Sequence, residues 1–200
     1  MRFSIIIPAH NAADRIRNAL ESIKKQTFTD YELIVICDSC DDNTAEIAKE
    51  YTDKVLKVHN HRDGLTRNAG LDIANGEYIL FMDDDDWWLH EYVLDMINKK
   101  LDKEPCDVLC FAFIWKTVGY AGPLDNGGGH FVAVWNKCWR REYIGKTRFN
   151  NIQYGSDVVF NSDMFFVKSP RVVNWEMPLY YYNFLREGSL SDLYYKGVIK

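Results

Sequence analysis

The sequence contains no long hydrophobic run and no excess of positive charge. Its N-terminal apolar segment extends only from Phe3 to Ile7, where Pro8 ends it, whereas a membrane-spanning helix needs roughly 20 apolar residues. Lys and Arg number 24 against 29 Asp and Glu, a net charge of −5, so there is no broad basic surface for nucleic acid phosphates. We expect a cytoplasmic protein without a secretory signal or a nucleic acid partner, either soluble or peripheral at the inner membrane face.

The sequence also lacks a regular cysteine framework. Its five cysteines are odd in number and have no disulfide-type spacing. Cys37 and Cys40 form a CxxC pair, but Cys37 ends an apolar segment and no histidine follows at zinc-ligand spacing. Free thiols in a reducing compartment are therefore expected rather than a zinc site.

The first half of the chain alternates strand and helix patterns. The 200 residues are 47% apolar, which suits one domain with a sizeable core. Apolar strand-like segments occur at 3–7, 31–37, 55–58, 77–82 and 107–115. Between them lie amphipathic faces at Ile16/Ala19/Leu20/Ile23, Thr44/Ile47/Ala48/Tyr51, Leu65/Ala69/Ile73 and Leu89/Val93/Met96/Ile97/Leu101. This order predicts a mostly parallel sheet with helices on both faces.

Turn residues interrupt the pattern after Trp115. The segment 119–129 is dense in glycine and is predicted to be a flexible loop. The remainder mixes short helices and strands and is rich in Trp and Tyr. No repeat or linker requires a second independent domain.

Polar residues follow three of the predicted strands, where ligands of parallel α/β sheets bind. Pro8–Asn11 precedes the first helix, which Asn11 is predicted to cap. Asp38 ends the second strand, and the acids after it suit a helix start. Each cluster is also compatible with a plain strand-to-helix turn.

The third cluster is the run Asp83–Asp86. Adjacent carboxylates repel one another unless a cation is present, and hard oxygen ligands suit Mg²⁺ or Mn²⁺ held jointly with substrate phosphates. A solvated acidic turn is the alternative, although the following Trp87 and Trp88 make it less suitable. His130 is a weaker candidate to approach the metal.

Five short motifs occur in one order along the chain. They are Ile5–Asn11, Asp38 with Asp41–Thr44, Gly64–Gly70, Gly76–Tyr78 and Asp83–Trp87. Together they resemble family 2 glycosyltransferases of the GT-A fold, and similarity continues weakly at 134–137, 156–160 and 180–191. The resemblance implies a single GT-A domain over 1–200, in which 1–115 binds a nucleotide-sugar. Residues 116–200 would form a smaller mixed half with the acceptor site and the catalytic base.

The resemblance also implies roles at matching positions. Pro8, Ala9 and Asn11 belong to the nucleotide-binding first loop. Asp38 is similar to the acid that pairs with uracil. Arg67 is similar to the arginine near the base and the start of the DXD strand.

Further implied roles fall on the acidic run. Asp83 would lie toward the ribose, and Asp85 would bind the Mn²⁺ or Mg²⁺ ion and the diphosphate. Asp84 is grouped with the nucleotide-sugar-binding residues. Arg186 would cover the diphosphate, with a surface ion pair as the alternative.

Asp157 is similar to the catalytic base of inverting members. A helix cap is the alternative for an Asp at this turn. The family commonly has Glu-Asp here, and this chain has Ser156-Asp157. The QxxRW signature of processive synthases is absent, which argues against a processive enzyme.

The resulting hypothesis is a metal-dependent inverting glycosyltransferase. It would move a sugar, favouring a UDP-sugar donor, to a hydroxyl of a glycan, lipid-linked or protein acceptor in cell-surface polysaccharide or glycoconjugate synthesis. A degenerate sugar-nucleotide-binding protein or non-catalytic subunit is the alternative. A nucleotidyltransferase would need a Gly-rich loop after the first strand, and Pro8–Asn11 is not one.

Overall fold

The computed structural model describes residues 1–123, 133–184 and 186–198. They form one mixed β-sheet with helices on its faces. The strands are β1 (Phe3–Ala9), β2 (Tyr31–Asp38), β3 (Val55–Val58), β4 (Tyr78–Phe81), β5 (Trp87–Trp88), β6 (Val108–Trp115), β7 (Gly119–Ala121), β8 (Lys137–Arg140) and β9 (Val172–Tyr182). The helices are α1 (Ile16–Lys24), α2 (Thr44–Lys49), α3 (Asp63–Ile73), α4 (Val93–Lys103), α5 (Arg141–Ile144), α6 (Ser156–Ser162) and α7 (Leu190–Tyr195), with a π-helical turn (Asp163–Val167) after α6.

Strands β1 and β2 are apolar throughout because both sheet faces are covered. In β1, Phe3, Ile5 and Ile7 enter the core with α1, α2 and α4, whereas Ile6 enters the core with α3, α5 and α6. Successive side chains point to opposite faces of a strand. A fully buried parallel strand therefore shows a continuous apolar run rather than an alternating one.

The sheet changes character after β4. Its strand order is β3-β2-β1-β4-β8-β6-β9-β5, with β7 paired to β6. The pairs from β3 to β4 are parallel, whereas β8 is antiparallel to both β4 and β6. Strand β9 is parallel to β6 and antiparallel to β5. The predicted α/β class, with a parallel first half and a mixed second half, is confirmed.

Two helix predictions were wrong in detail. Helix α1 begins at Ile16 with Arg15 at the N-cap position and no side-chain cap, so Asn11 does not cap it. Helix α3 buries Gly64, Thr66, Arg67, Gly70 and Leu71, whereas Ala69 and Ile73 of the predicted Leu65/Ala69/Ile73 set pack against the core only partly buried. A Cβ at Gly70 would clash with Ile6 of β1, so this glycine lets the helix approach the sheet.

Two loop predictions also need correction. Leu89 precedes α4, which begins at Val93, because Trp87 and Trp88 form a strand paired with Tyr181 and Tyr180. Residues 119–121 of the predicted loop form β7 against β6. The rest of the glycine-rich segment, from 124 to 129, and His130 lie outside the described residues.

Within the ranges given above, no helix is long and apolar enough to cross a membrane.

Candidate functional site

A cleft of about 440 Å³ opens at the carboxyl ends of β1, β2 and β4. Eight predicted site residues line it, from both halves of the chain: Pro8, Ala9, Asp38, Arg67, Asp83, Asp84, Asp85 and Arg186. Asn11 and Asp157 are not among the lining residues. The structure therefore brings together most of the predicted site, and these two residues lie beside the cleft lining rather than in it.

Asn11 links the loop after β1 to the loop after β2. It adopts a φ of 45°, in the left-handed region that Asn tolerates better than most residues. Its Oδ1 accepts a hydrogen bond from the Asp41 N–H at 2.8 Å. The neighbouring His10 places its Nδ1 2.7 Å from the Asp38 carbonyl oxygen. The two loops therefore form one rigid wall, and Asn11 contributes to it by positioning.

The Asp38 carboxylate is heavily hydrogen-bonded inside the protein. Its Oδ1 accepts from the Asn60 N–H at 2.7 Å, the His61 N–H at 3.1 Å and the Ser39 hydroxyl at 3.0 Å. Its Oδ2 accepts from the Thr66 hydroxyl at 2.7 Å. Burial raises the pKa of Asp38, but these hydrogen bonds outweigh it and hold the pKa below the usual value. Asp38 is an ionised anchor for the start of α3.

Three of the four consecutive aspartates pair with arginines. Asp83 Oδ1 lies 2.7 Å from Arg67 Nη2, and Asp84 Oδ1 lies 2.8 Å from Arg15 Nε. Asp85 Oδ2 lies 2.7 Å from Nε of Arg186. These partners come from α3, the first loop and the segment before α7, so they converge on the cleft from three sides.

Among the residues that the structure describes, Asp86 has no arginine partner. Its side chain is fully buried and accepts from the Tyr180 hydroxyl at 2.7 Å and the Asn183 N–H at 2.8 Å. The interpretation of Asp86 as part of a solvated turn is therefore wrong. It fixes the acidic run to the end of β9.

The carboxylates of the acidic run are buried close to one another and repel. Burial raises the pKa of Asp83 and Asp84, and the neighbouring carboxylates add to this, although Arg67 and Arg15 oppose it. Burial raises the pKa of Asp86 further. A divalent cation would relieve this repulsion.

The donor set of carboxylate oxygens fits Mg²⁺ or Mn²⁺. No group of three or more His, Cys, Asp or Glu side chains converges for a metal within the described part of the chain. The protein would thus supply few ligands, with Asp85 as the predicted one, and phosphate oxygens would complete the shell.

Arg67 is a buried arginine that contacts three acidic side chains of the site. It is 2% exposed and forms ion pairs with Asp63 and Asp83, and its Nη1 lies 3.3 Å from Asp157 Oδ1. A Cβ at Gly64 would lie 2.9 Å from both the Phe149 and Ser156 Cβ atoms. The missing side chain therefore lets α6 approach α3 closely enough for Asp157 to reach Arg67.

Asp157 lies in the first turn of α6, whose N-cap is Gly155 with φ 81° and no side-chain cap bond. The alternative role of Asp157 as a helix cap is therefore wrong. Its side chain is 18% exposed, and within the described part of the chain its buried Oδ1 has no hydrogen-bond partner, although Arg67 is within ion-pair distance. A cation beside a carboxylate favours the ionised form, and only that form can accept a proton.

Sequence reasoning assigned no role to several site residues. His10 and Thr66, which belong to two of the recognised motifs, line the cleft together with Arg15, and the Tyr180 hydroxyl accepts from the Asp83 N–H at 3.1 Å. Nothing in the sequence pattern pointed to Arg15, or to the contact of Tyr180 with the acidic run, because their partners lie 69 and 94 residues away.

This arrangement corresponds to a known class of protein. The chain matches glycosyl transferase family 2 over residues 4–167 and belongs to that family. It is 30% identical over 98% of its length to YibD of Escherichia coli, an uncharacterised glycosyltransferase.

Solved structures show the same fold. TarS of S. aureus in complex with UDP-GlcNAc aligns with a TM-score of 0.83 at 24% identity over 96% of this chain. Glucosyl-3-phosphoglycerate synthase from Mycobacterium tuberculosis, in complex with Mg²⁺ and UDP, aligns with a TM-score of 0.69 at 18% identity over 96%. The fold is therefore the GT-A type. The chain spans 65% of YibD, 61% of the TarS chain and 74% of the synthase chain.

Proposed function

We propose that the protein is a metal-dependent, inverting glycosyltransferase that uses a UDP-sugar. The main support is that three aspartates of the acidic run pair with three arginines in one cleft, at the carboxyl ends of the parallel strands. Family membership supports the reaction class. The relatives in complex with UDP-GlcNAc or with Mg²⁺ and UDP support the donor and metal classes.

The residues divide the work of donor binding. Pro8, Ala9 and the loop braced by Asn11 form the wall for the nucleoside. Arg186 would leave Asp85 for the diphosphate, because a guanidinium binds phosphate oxygens strongly. When bound, Mn²⁺ or Mg²⁺ at Asp85 would act as a Lewis acid that stabilises the leaving diphosphate. Asp83 would face the ribose.

Asp38 would recognise the base. Its carboxylate is ionised and therefore an acceptor only, which suits the imide N–H of uracil. The Ser39 hydroxyl is one of its present donors and can rotate away, so an incoming N–H can take its place. Adenine offers no equivalent imide donor, and UDP is expected to bind better than ADP.

Asp157 would act as the base. An acceptor hydroxyl must lose its proton as it attacks the anomeric carbon. Direct displacement of UDP from the opposite face would invert that carbon through an oxocarbenium-like transition state. Arg67 would hold Asp157 and Asp83 at a fixed separation, so that base and donor keep their alignment.

The acceptor would be a glycan, a lipid-linked sugar or a protein used in cell-surface polysaccharide or glycoconjugate synthesis. A cytoplasmic location, with peripheral association at the inner membrane face, belongs to the same proposal. The function alternative is a sugar-nucleotide-binding protein without turnover, which Ser156 at the usual Glu position favours.

One experiment tests the proposal. A panel of UDP- and GDP-sugars with Mn²⁺ is screened for thermal stabilisation, since ligand binding to the folded state raises its melting temperature. UDP release is then measured with the stabilising donors. Stabilisation by a UDP-sugar with UDP release supports the enzyme. Stabilisation without release, in the presence of glycan and lipid-linked acceptors, supports the binding protein. No stabilisation by any donor contradicts both.

A further inference from the structure

Lys137 is a charged residue inside the core. It begins β8 opposite Cys110 of β6 and is fully buried. Trp139, two residues on, points to the same sheet face and packs with Phe160 of α6. Burying a lysine here costs free energy of folding unless its ammonium group is paired. An apolar residue of similar length would fill the same space without that cost.

Two of the three Lys137 protons have acceptors. Nζ donates to the Ala133 carbonyl oxygen at 2.5 Å and to Asn136 Oδ1 at 2.8 Å. A third acceptor is not found among residues 1–123, 133–184 and 186–198, although an ammonium carries three donors. The Ala133 carbonyl also accepts from Asn161 Nδ2 at 3.1 Å. Asn161 lies one helical turn after Asp157, so the lysine, the amide and the carboxylate share one layer under α6.

This layer holds an unusual share of unpaired polar atoms. In the described part of the chain, seven buried side-chain atoms have no hydrogen-bond partner. Three of them belong to Asp157, Asn161 and Asn136, and a fourth is Nε of Arg67. Buried polar groups are normally satisfied, so this concentration of exceptions requires an explanation.

The titratable groups around this layer come from several elements. Cys110 of β6 lies opposite Lys137, and Arg67 of α3 lies 3.3 Å from Asp157 of α6. Burial lowers the pKa of Lys137 to about 8, although Cys110 and Asp157 oppose this. The lysine therefore remains largely protonated at neutral pH.

We propose that Lys137 is a positioning residue for Asp157: its buried ammonium binds the Ala133 carbonyl that also accepts from Asn161, and so fixes from the sheet side the helix α6 that carries the carboxylate. Arg67 acts from the α3 side and Lys137 from the sheet side. This inference rests on the proposed function, in which Asp157 is the base. It assigns no contact between Lys137 and the substrate.

The test is a double-mutant cycle of K137M and D157N with turnover as the first readout. K137M is expected to lower kcat about tenfold or more, while the donor KM and UDP affinity change little. In the D157N background, K137M should cause no further loss. An additive loss, or a donor KM that changes as much as kcat, would overturn the proposal.

Lys168→Met is the matched control. Lys168 also donates to two backbone carbonyls, those of Tyr143 and Ile144, but it follows the π-helical turn and has no link to Asp157. It should leave kcat unchanged. If K168M lowers kcat as K137M does, the effect is a general loss of structure and the proposal is wrong.

The same double-mutant cycle can be measured by urea unfolding, which does not depend on turnover. If Lys137 and Asp157 are coupled, the fall in the urea midpoint of the double variant should be smaller than the sum of the falls in the two single variants. A wild-type protein without turnover would contradict the proposed function, yet this coupling would still be measurable. Additive midpoints would overturn the inference. If K137M does not fold, K137Q, which keeps a donor, replaces it in both cycles.

Discussion

Arg186 Nε lies 2.7 Å from Asp85 Oδ2, so the arginine occupies the carboxylate proposed to bind the metal. A metal cation and the guanidinium repel each other when both bind this carboxylate, so binding of one weakens binding of the other. Phosphate offers Arg186 an alternative partner. The ion pair therefore couples metal binding to diphosphate binding.

Replacing Arg186 by Ala should separate the two events. Without nucleotide, R186A should bind Mn²⁺ about two- to fivefold more tightly, since a partly exposed ion pair is worth up to about 1 kcal/mol. UDP should bind about tenfold more weakly, because a charged hydrogen bond is lost. Calorimetric titration of Mn²⁺ and of UDP measures both. Weaker Mn²⁺ binding in R186A would show that Arg186 does not compete for Asp85.

Asp85→Asn should abolish metal-dependent UDP binding and leave the fold intact. The amide keeps the shape but loses the charge that a divalent ion needs. UDP titrations with Mn²⁺ and with chelator should coincide in D85N and differ in the wild type. Asp72→Asn removes an exposed carboxylate paired with Arg148 and serves as control. Sugar transfer that continues in chelator would mean that the acidic run has another role.

The sequence was sufficient to predict the parallel half of the fold. Strands such as β1 and β2 are buried on both faces, so their apolar runs are continuous and easy to recognise. The strand ends then identified Asp38 and the acidic run, because parallel strands bring their carboxyl ends to one edge. The family resemblance added Arg67 and Asp157.

The remaining features depend on distant contacts. Asn11 has the residue type of a helix cap, but its oxygen is used by the Asp41 N–H. Lys137 resembles any lysine beside an apolar strand, and its complete burial arises from tertiary packing. The local sequence pattern does not predict these partners, because they come together only in the folded structure.

Glu32 predicts a pH dependence of stability that is separate from function. It is buried at the start of β2, where it pairs with Lys54 and accepts from the Ser4 hydroxyl at 2.5 Å. Burial raises its pKa, but the hydrogen bonds from Lys54, Ser4 and Asn75 outweigh this and lower it to about 2. A carboxylate with a depressed folded-state pKa stabilises the protein above its unfolded value of 4.5. That stabilisation is lost as the pH falls toward 2.

Glu32→Gln should therefore lower the free energy of unfolding at pH 7 on the order of 2 kcal/mol. The difference from the wild type should shrink as the pH falls from 4.5 to 2. Urea unfolding at a series of pH values measures this. UDP affinity should stay unchanged because Glu32 lies at the opposite end of β2 from Asp38. A constant difference at every pH would show that the charge is not responsible.

The last prediction concerns Asp157. Asp157→Asn keeps the size of the side chain and removes its basicity. The helix should tolerate the change because Gly155, not Asp157, occupies the N-cap, and Arg67 keeps Asp63 and Asp83 as partners. Turnover should fall by about 10²-fold or more, the usual scale for a general base. UDP affinity and melting temperature should be nearly unchanged.

UDP release at saturating donor and acceptor is the measurement for D157N, with calorimetric UDP titration and thermal unfolding run on the same preparations. Asp163→Asn is the control, since Asp163 is an exposed acid at the end of the same helix. A tenfold or larger fall in D163N would point to a general loss of helix α6 rather than of a base. Near-normal turnover in D157N would remove Asp157 from the mechanism, because an amide cannot accept the hydroxyl proton.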